Sequence, residues 1–170
     1  ANRPQSDVLT MRLTLFLLLA QAAFGQPLGW QYDVPPAWAA RIQKDGVMMR
    51  PLGNVKMSLG IATIPSNRQT IETQFRDAAQ QFVGFRPGAP PRVWFNPAGV
   101  QLASGYGPLT SGGVCQLVIA TRDRSSVALL ITAESAATME RYRQEIDKVI
   151  QTLKYAKVAA IIPAFHPARH

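Results

Sequence analysis

Val114-Cys-Gln-Leu-Val-Ile-Ala-Thr121, then Arg122-Asp-Arg-Ser-Ser126, then Val127-Ala-Leu-Leu-Ile-Thr-Ala133 is the stretch that decides the fold. It reads as two apolar runs of strand length joined by a polar connection of hairpin length. A strand wetted on one side alternates apolar with polar residues, because successive side chains point to opposite faces. Neither run alternates in that way. Both therefore read as central strands covered on both faces. With the helical segments on either side in the sequence, the fold class is α+β: an antiparallel sheet of about six or seven strands with helices packed on it.

Toward the C-terminus, Ser135 is placed to cap a long helix. Met139, Tyr142, Ile146, Val149, Ile150 and Leu153 form its inward stripe, and Glu140, Arg141, Arg143, Glu145, Asp147 and Lys148 form a solvated outer face. The tail Val158-Ala-Ala-Ile-Ile-Pro163 is apolar and reads either as a packed edge or as a mobile segment, ending in His166-Pro-Ala-Arg-His170.

Toward the N-terminus, Gly105-Tyr-Gly-Pro-Leu-Thr-Ser-Gly-Gly113 is dense in glycine and reads as a loop. Val93–Phe95 and Val100–Ser104 are short strands around the Asn96-Pro-Ala-Gly99 turn. The Pro87-Gly-Ala-Pro-Pro91 segment between Arg86 and Arg92 cannot hold regular structure and reads as a second loop. Ile71, Phe75, Ala78, Ala79, Phe82 and Val83 recur at spacings of three and four, which predicts a helix. Thr70 or Ser66 caps its start, and Gly84 closes its end in the left-handed conformation. Val55–Ile64 alternates for its whole length, with Val55, Met57, Leu59, Ile61 and Thr63 facing one way, and Pro65 ends it. Asp45-Gly46 is a favoured turn dipeptide between Ala39–Gln43 and Val47–Met49, which predicts a hairpin. Trp30-Gln-Tyr-Asp-Val34 reads as a strand stopped by Pro35-Pro36.

Ahead of all this lies Met11-Arg-Leu-Thr-Leu-Phe-Leu-Leu-Leu-Ala-Gln-Ala-Ala-Phe-Gly25, with one positive residue, an apolar run and a small-x-small ending. The run is too short for a membrane-spanning helix, which needs about 20 residues. It reads as a secretory signal cut after Gly25, or alternatively after Ala22. Ala1–Thr10 reads as an over-extended reading frame. The expected organisation is residues 1–25 as upstream residues plus signal, 26–157 as a single globular domain, and 158–170 as a tail. The expected address is secreted or periplasmic, with no lipid-attachment cysteine beside the cut and no membrane-integral product after it.

The whole chain carries 18 Lys and Arg against 10 Asp and Glu, a net charge of +8. Two of those cations (Arg3, Arg12) and one acid (Asp7) precede Gln26, so 16 − 9 leaves +7 on the remainder. That balance invites anionic partners such as phospholipid headgroups or acidic polysaccharide. The basic residues are dispersed and not interleaved with aromatics, so no specific nucleic-acid binding is expected. Cys115 is the only cysteine. In a strand pattern it reads as a small buried hydrophobe, since a nucleophilic thiolate would need a nearby base. The two histidines, His166 and His170, fall in the tail. A hydrolytic triad therefore lacks its base, and Pro167 between the histidines argues against a metal-binding helix face. Asp33, Asp45, Glu72, Asp77 and Asp123 fall on different elements, and the Gly105–Gly113 loop matches no phosphate-binding pattern. No catalytic residue, metal or cofactor is expected.

The order of elements resembles that of PsbP-like domains. The resemblance is carried by the opening Trp30-Gln-Tyr-Asp-Val-Pro-Pro-Ala-Trp38, by the strand to Ile64 followed by the Thr70–Val83 helix, and by the Ala98-Gly99-Val100 strand start. The final hairpin and the closing helix through Leu153 complete it, over residues 29–155. The superfamily includes photosystem extrinsic subunits, a Ran-binding nuclear import factor and DcrB-like bacterial envelope proteins. The resemblance implies an α/β/α sandwich and a non-enzymatic accessory or binding role. This chain lacks the lipid-attachment cysteine of the envelope lipoproteins and any histidine–carboxylate set, so no functional residue is carried over. The expected function is thus an exported non-enzymatic binding or accessory protein of the cell envelope, its partner an unidentified protein or envelope component. The alternatives are a small secreted hydrolase using carboxylates, or a basic protein binding anionic lipid or polysaccharide. Loops are where rigid folds carry contacts, which makes Gly84–Arg92 and Gly105–Gly113 the expected binding surface, with Arg92 and Tyr106 as its anchors.

Overall fold

The structure is a computed structural model and describes residues 29–65 and 69–157. The Met11–Gly25 signal, Ser66 and the tail with His166 and His170 lie outside the described residues. In chain order the elements are β1 (Trp30–Gln31), β2 (Trp38–Gln43), β3 (Gly46–Pro51), β4 (Met57–Ile64), α1 (Ile71–Gln81), β5 (Arg92–Phe95) and β6 (Gln101–Pro108). They continue with β7 (Val114–Arg122), β8 (Ser125–Ala133), α2 (Ala136–Arg141), α3 (Arg143–Thr152) and β9 (Lys154–Tyr155). Seven strands make one antiparallel sheet in the order β2-β3-β4-β8-β7-β6-β5, and β1 pairs with β9 in a separate two-stranded ribbon. The two apolar runs occupy the sheet interior, as their lack of alternation requires.

Alternate residues of these central strands enter two different cores. Leu102, Val118, Ala120, Leu129 and Ile131 meet Ile146, Val149, Ile150 and Leu153 on one side. Ala103, Cys115, Leu117, Ile119 and Ala128 meet Ile71, Phe75, Ala78 and Ala79 on the other. The result is an α/β/α sandwich. Each fully buried Leu or Ile contributes about 1.5–3 kcal/mol relative to exposure, so the central hairpin supplies a large share of both cores.

Local detail departs from the sequence reading at six places, each with a cause in packing. The β2–β3 turn is Lys44-Asp45, closed by the Gln43↔Gly46 pair. Gly46 is therefore a strand residue, and a side chain there would collide with the Ile61 carbonyl. Helix α1 starts as expected, with the Thr70 Oγ1 accepting from the Thr73 N–H at 3.3 Å, but it ends at Gln81. Phe82 turns out of helical geometry, so Val83 leaves the inward stripe and is 99% exposed. Gly84 takes φ +91° to reach the β6–β7 turn, where its carbonyl accepts from the Thr110 N–H at 2.9 Å.

Gly105–Pro108 is not loop but the second half of β6. Its glycines are packing residues: the Phe75 ring lies against Gly105 and the Arg86 carbonyl against Gly107. The β7–β8 connection is two residues, not five, because Arg122 pairs with Ser125. Asp123 (φ 48°) and Arg124 (φ 65°) are both left-handed, as a type I′ hairpin turn demands. The expected long helix is split at Tyr142, whose ring meets Trp38 edge-on at 6.0 Å. Ser135 still caps the first piece, accepting from the Thr138 N–H at 3.1 Å. Finally, the Trp30–Val34 strand shrinks to two residues, the length of its partner β9. Trp30 is buried there, its Nε1–H donating to the Ser125 Oγ at 2.8 Å and its ring centroid 5.2 Å from that of Tyr155.

Candidate functional site

Strand direction decides which loops meet. β3, β6 and β8 end where β2, β4, β5 and β7 begin, so the connections 52–56, 82–91, 109–113 and 134–135 share one end of the sheet. Hydrogen bonds knit them. Besides the Gly84–Thr110 bond, the Gly88 N–H donates to the Tyr106 carbonyl at 3.0 Å and the Glu134 N–H to the Lys56 carbonyl at 3.0 Å. The Leu52 N–H donates to the Ala37 carbonyl at 2.8 Å. Phe85 forms an isolated bridge with Leu109. The proline-rich segment and the glycine-rich stretch, bonded at Gly88 and Tyr106 and again at Gly84 and Thr110, thus form one surface.

Arg92 and Tyr106 both lie on this end. Arg92 is registered with Ser104 on β6, and Tyr106 stands two residues further along the same strand, opposite Gln116. The period of two puts Arg92, Ser104, Tyr106 and Gln116 on one face, the face that carries α2 and α3. Arg92 stacks over the Trp94 ring, 5.8 Å from its centroid. The Gln116 Nε2 donates to the Ser104 Oγ at 3.0 Å. Tyr106 also borders a hollow of about 200 Å³ with Gln116, Met139, Arg143, Ile146 and Asp147. The Arg143 guanidinium there donates to the Glu140 carboxylate at 2.6–2.7 Å, and that hydrogen bond holds its pKa above the ordinary arginine value.

Two larger depressions flank this row. One, of about 570 Å³, runs between Arg50, Gly53, Asn54, Lys56, Gly112 and Glu134. The other, of about 540 Å³, is an apolar groove between α1 and the proline segment, with Phe75, Ala79, Phe85 and Pro90 in its walls and Arg76 and Arg86 along it. The carboxylates bordering the three depressions are single: Asp147, Glu134 and Glu72. Among the described residues no group of three or more His, Cys, Asp or Glu side chains could hold a metal ion. Cys115 is fully buried, and burial pushes its thiol up to about 12. It is a core residue without thiolate character at neutral pH.

What the sequence reading missed is the apolar part of this end. Leu52 is 63% exposed, and Val83 stands out almost completely. Each directly precedes a glycine with positive φ, Gly53 at +95° and Gly84 at +91°. The available signal was the apolar-residue–glycine pair itself, which helical periodicity concealed for Val83. Around them stand the exposed cations Arg50, Lys56, Arg86 and Arg92, with the exposed carboxylate Glu134 on the depression that Arg50 and Lys56 line and Glu72 on the groove that Arg86 lines.

Comparison with protein-family models and with curated proteins finds no match. Among solved structures, the chain is similar to the cyanobacterial PsbP (CyanoP) of Synechocystis sp. PCC 6803, with a TM-score of 0.56 at 10% identity, covering 75% of this chain and 87% of that one. A weaker likeness, TM-score 0.44 at 8% identity, covers 74% of this chain and 82% of LpqN, a protein involved in cell envelope biogenesis of Mycobacterium tuberculosis. The first likeness shows a PsbP-like fold. No helix among the described residues is long and apolar enough to cross a membrane.

Proposed function

We propose that this chain is an exported, non-enzymatic binding or accessory protein of the cell envelope, acting as one domain over residues 26–157 after the Met11–Gly25 signal is removed. The observation that carries the reading is the shared loop end, where Arg92 and Tyr106 stand on one face of neighbouring strands. Both are exposed and rest on a rigid sheet, which suits side chains that must meet a partner without reorganising. Arg and Tyr are also the residue types that concentrate binding energy at interfaces. The PsbP-like fold hosts accessory proteins, which supports the reading by analogy of fold alone.

Export is tested by expressing the full chain in a secreting bacterial host and sequencing the N-terminus of the product. A start at Gln26 or Ala23 is expected; retention of Met11 in the product refutes export. Binding is tested by cross-linking the exported protein in the envelope of its native host, then repeating with Arg92→Ala/Tyr106→Ala. Both residues are exposed, so circular dichroism should be unchanged. The reading expects a cross-linked species that the double variant loses, and equal capture by both proteins refutes the placement of the anchors.

A further inference from the structure

The loop end carries more than scattered charge, because two aliphatic side chains are held outward in the midst of it. Val83 follows the last turn of α1, and the Gly84–Thr110 hydrogen bond at 2.9 Å fixes the chain immediately after it. Leu52 is fixed from the other side, its own N–H bonded to the Ala37 carbonyl at 2.8 Å. The 109–113 turn lies between them: Thr110 contacts the Val83 loop, and Gly112 lines one hollow with Gly53 and Asn54 of the Leu52 loop. Two ordered loops thus present an aliphatic tip each on the same end of the sheet.

An exposed aliphatic side chain is tolerable singly. Paired and set among Arg50, Lys56, Arg86 and Arg92, it fits the chemistry of a bilayer interface, where apolar groups enter the acyl boundary and cations meet anionic headgroups. We propose that this end docks on an anionic lipid surface, Leu52 and Val83 entering the interface and the four cations facing phosphate groups. The proposal deepens the binding reading above and rests on it. A soluble polyanion would use the cations and leave the aliphatic tips idle, so charge complementarity and the two tips together select a bilayer. The opposite end is an internal control. It exposes Phe95 among Lys44, Arg122, Arg124, Lys154, Asp45 and Asp123, a single apolar tip where the loop end has two.

The test is co-sedimentation of the exported protein with vesicles of phosphatidylcholine, with and without phosphatidylglycerol. Wild type, Leu52→Ser/Val83→Ser, Arg86→Gln/Arg92→Gln and Phe95→Ser are compared. All substitutions are at exposed positions and share every other residue, so differences read the loops. The proposal expects salt-sensitive binding to phosphatidylglycerol vesicles, reduced at least about tenfold by the aliphatic pair. It expects about fivefold loss per cation removed and no change for Phe95→Ser. Equal binding by wild type and Leu52→Ser/Val83→Ser, a loss confined to Phe95→Ser, or no binding to anionic vesicles overturns it. In each of those cases the cross-linking comparison still stands or falls separately, so failure of lipid docking is distinguished from failure of the accessory reading.

Discussion

Asn96→Asp exchanges one nitrogen for one oxygen and tests how the sheet is joined to its C-terminal helix. Asn96 is buried, and all four hydrogen-bonding directions of its amide are used. The Nδ2 donates to the Ile150 carbonyl at 3.2 Å and to the Leu153 carbonyl at 2.6 Å, groups at the end of α3 that lack helical partners. The Oδ1 accepts from the N–H groups of Ala98 and Val100, each at 3.0 Å, and so shapes the turn into β6. Aspartate keeps the second pair and loses the first. Two net hydrogen bonds at about 0.5–1.5 kcal/mol each are removed, and a buried carboxylate oxygen then faces two carbonyl oxygens. Leaving each carbonyl unpaired costs a further ~1–3 kcal/mol. The expected loss at neutral pH is at least about 3 kcal/mol by urea denaturation, a large part of a typical domain's stability.

The pH dependence carries the sharper test. Protonation restores one donor toward Leu153, so the folded variant holds its proton more tightly than the unfolded chain, whose Asp titrates near about 3.9. A group with its folded pKa raised contributes fully below the unfolded value and loses that contribution as pH rises through the folded value. The gap between variant and wild type should therefore narrow as the pH is lowered to about 4 and below. A neutral-pH loss under about 1 kcal/mol, or a gap that stays constant with pH, would refute the clamp.

Four further outcomes are expected. Arg124→Gly should raise stability by about 1 kcal/mol in chemical denaturation, because Arg124 holds φ 65° in a turn where glycine is unstrained; an unchanged midpoint counts against that strain. Gly105→Ala should cost about 1–3 kcal/mol by pressing on the Phe75 ring, and Phe75→Leu should cost less in that background than in wild type. Cys115 should resist alkylation in the folded protein and react in urea. Burial also pushes the Tyr32 hydroxyl up to about 12, so both groups are neutral in the fold at pH values where the unfolded chain ionises. Stability should accordingly fall as pH rises from about 9 toward 12, and Tyr32→Phe should flatten part of that slope.

The elements were largely legible because burial leaves a periodic trace. The unbroken apolar runs of β7 and β8 identified the sheet interior, Met57, Leu59 and Ile61 showed a one-sided strand, and Ile71, Phe75, Ala78 and Ala79 marked a helix face. Thr70 and Ser135 capped where hydroxyl chemistry placed them. Failures fell where a residue type has two uses. Glycine reads locally as freedom, yet Gly46, Gly105 and Gly107 are glycine because another part of the chain lies against them. Val83 continues a helical spacing that the backbone had already left. At the candidate site, Arg92 and Tyr106 were chosen as loop residues, but both stand in strands, Arg92 opening β5 and Tyr106 in the second half of β6. Leu52 and Val83 were not foreseen: their local signal is only an apolar residue before a glycine, and at Val83 the helical spacing concealed it.

Sequence alone thus determined the class of fold, the covering of the central strands on both faces and the buried character of Cys115, all properties of residues a few positions apart on one element. Tertiary structure decided which loops share an end, which glycines are contacts and what Asn96 joins. Those depend on meetings such as Gly84 with Thr110, Gly107 with Arg86 and Asn96 with Leu153. Periodicity reports that a side chain is buried, but not what it is buried against; only strand order and register supply the partner.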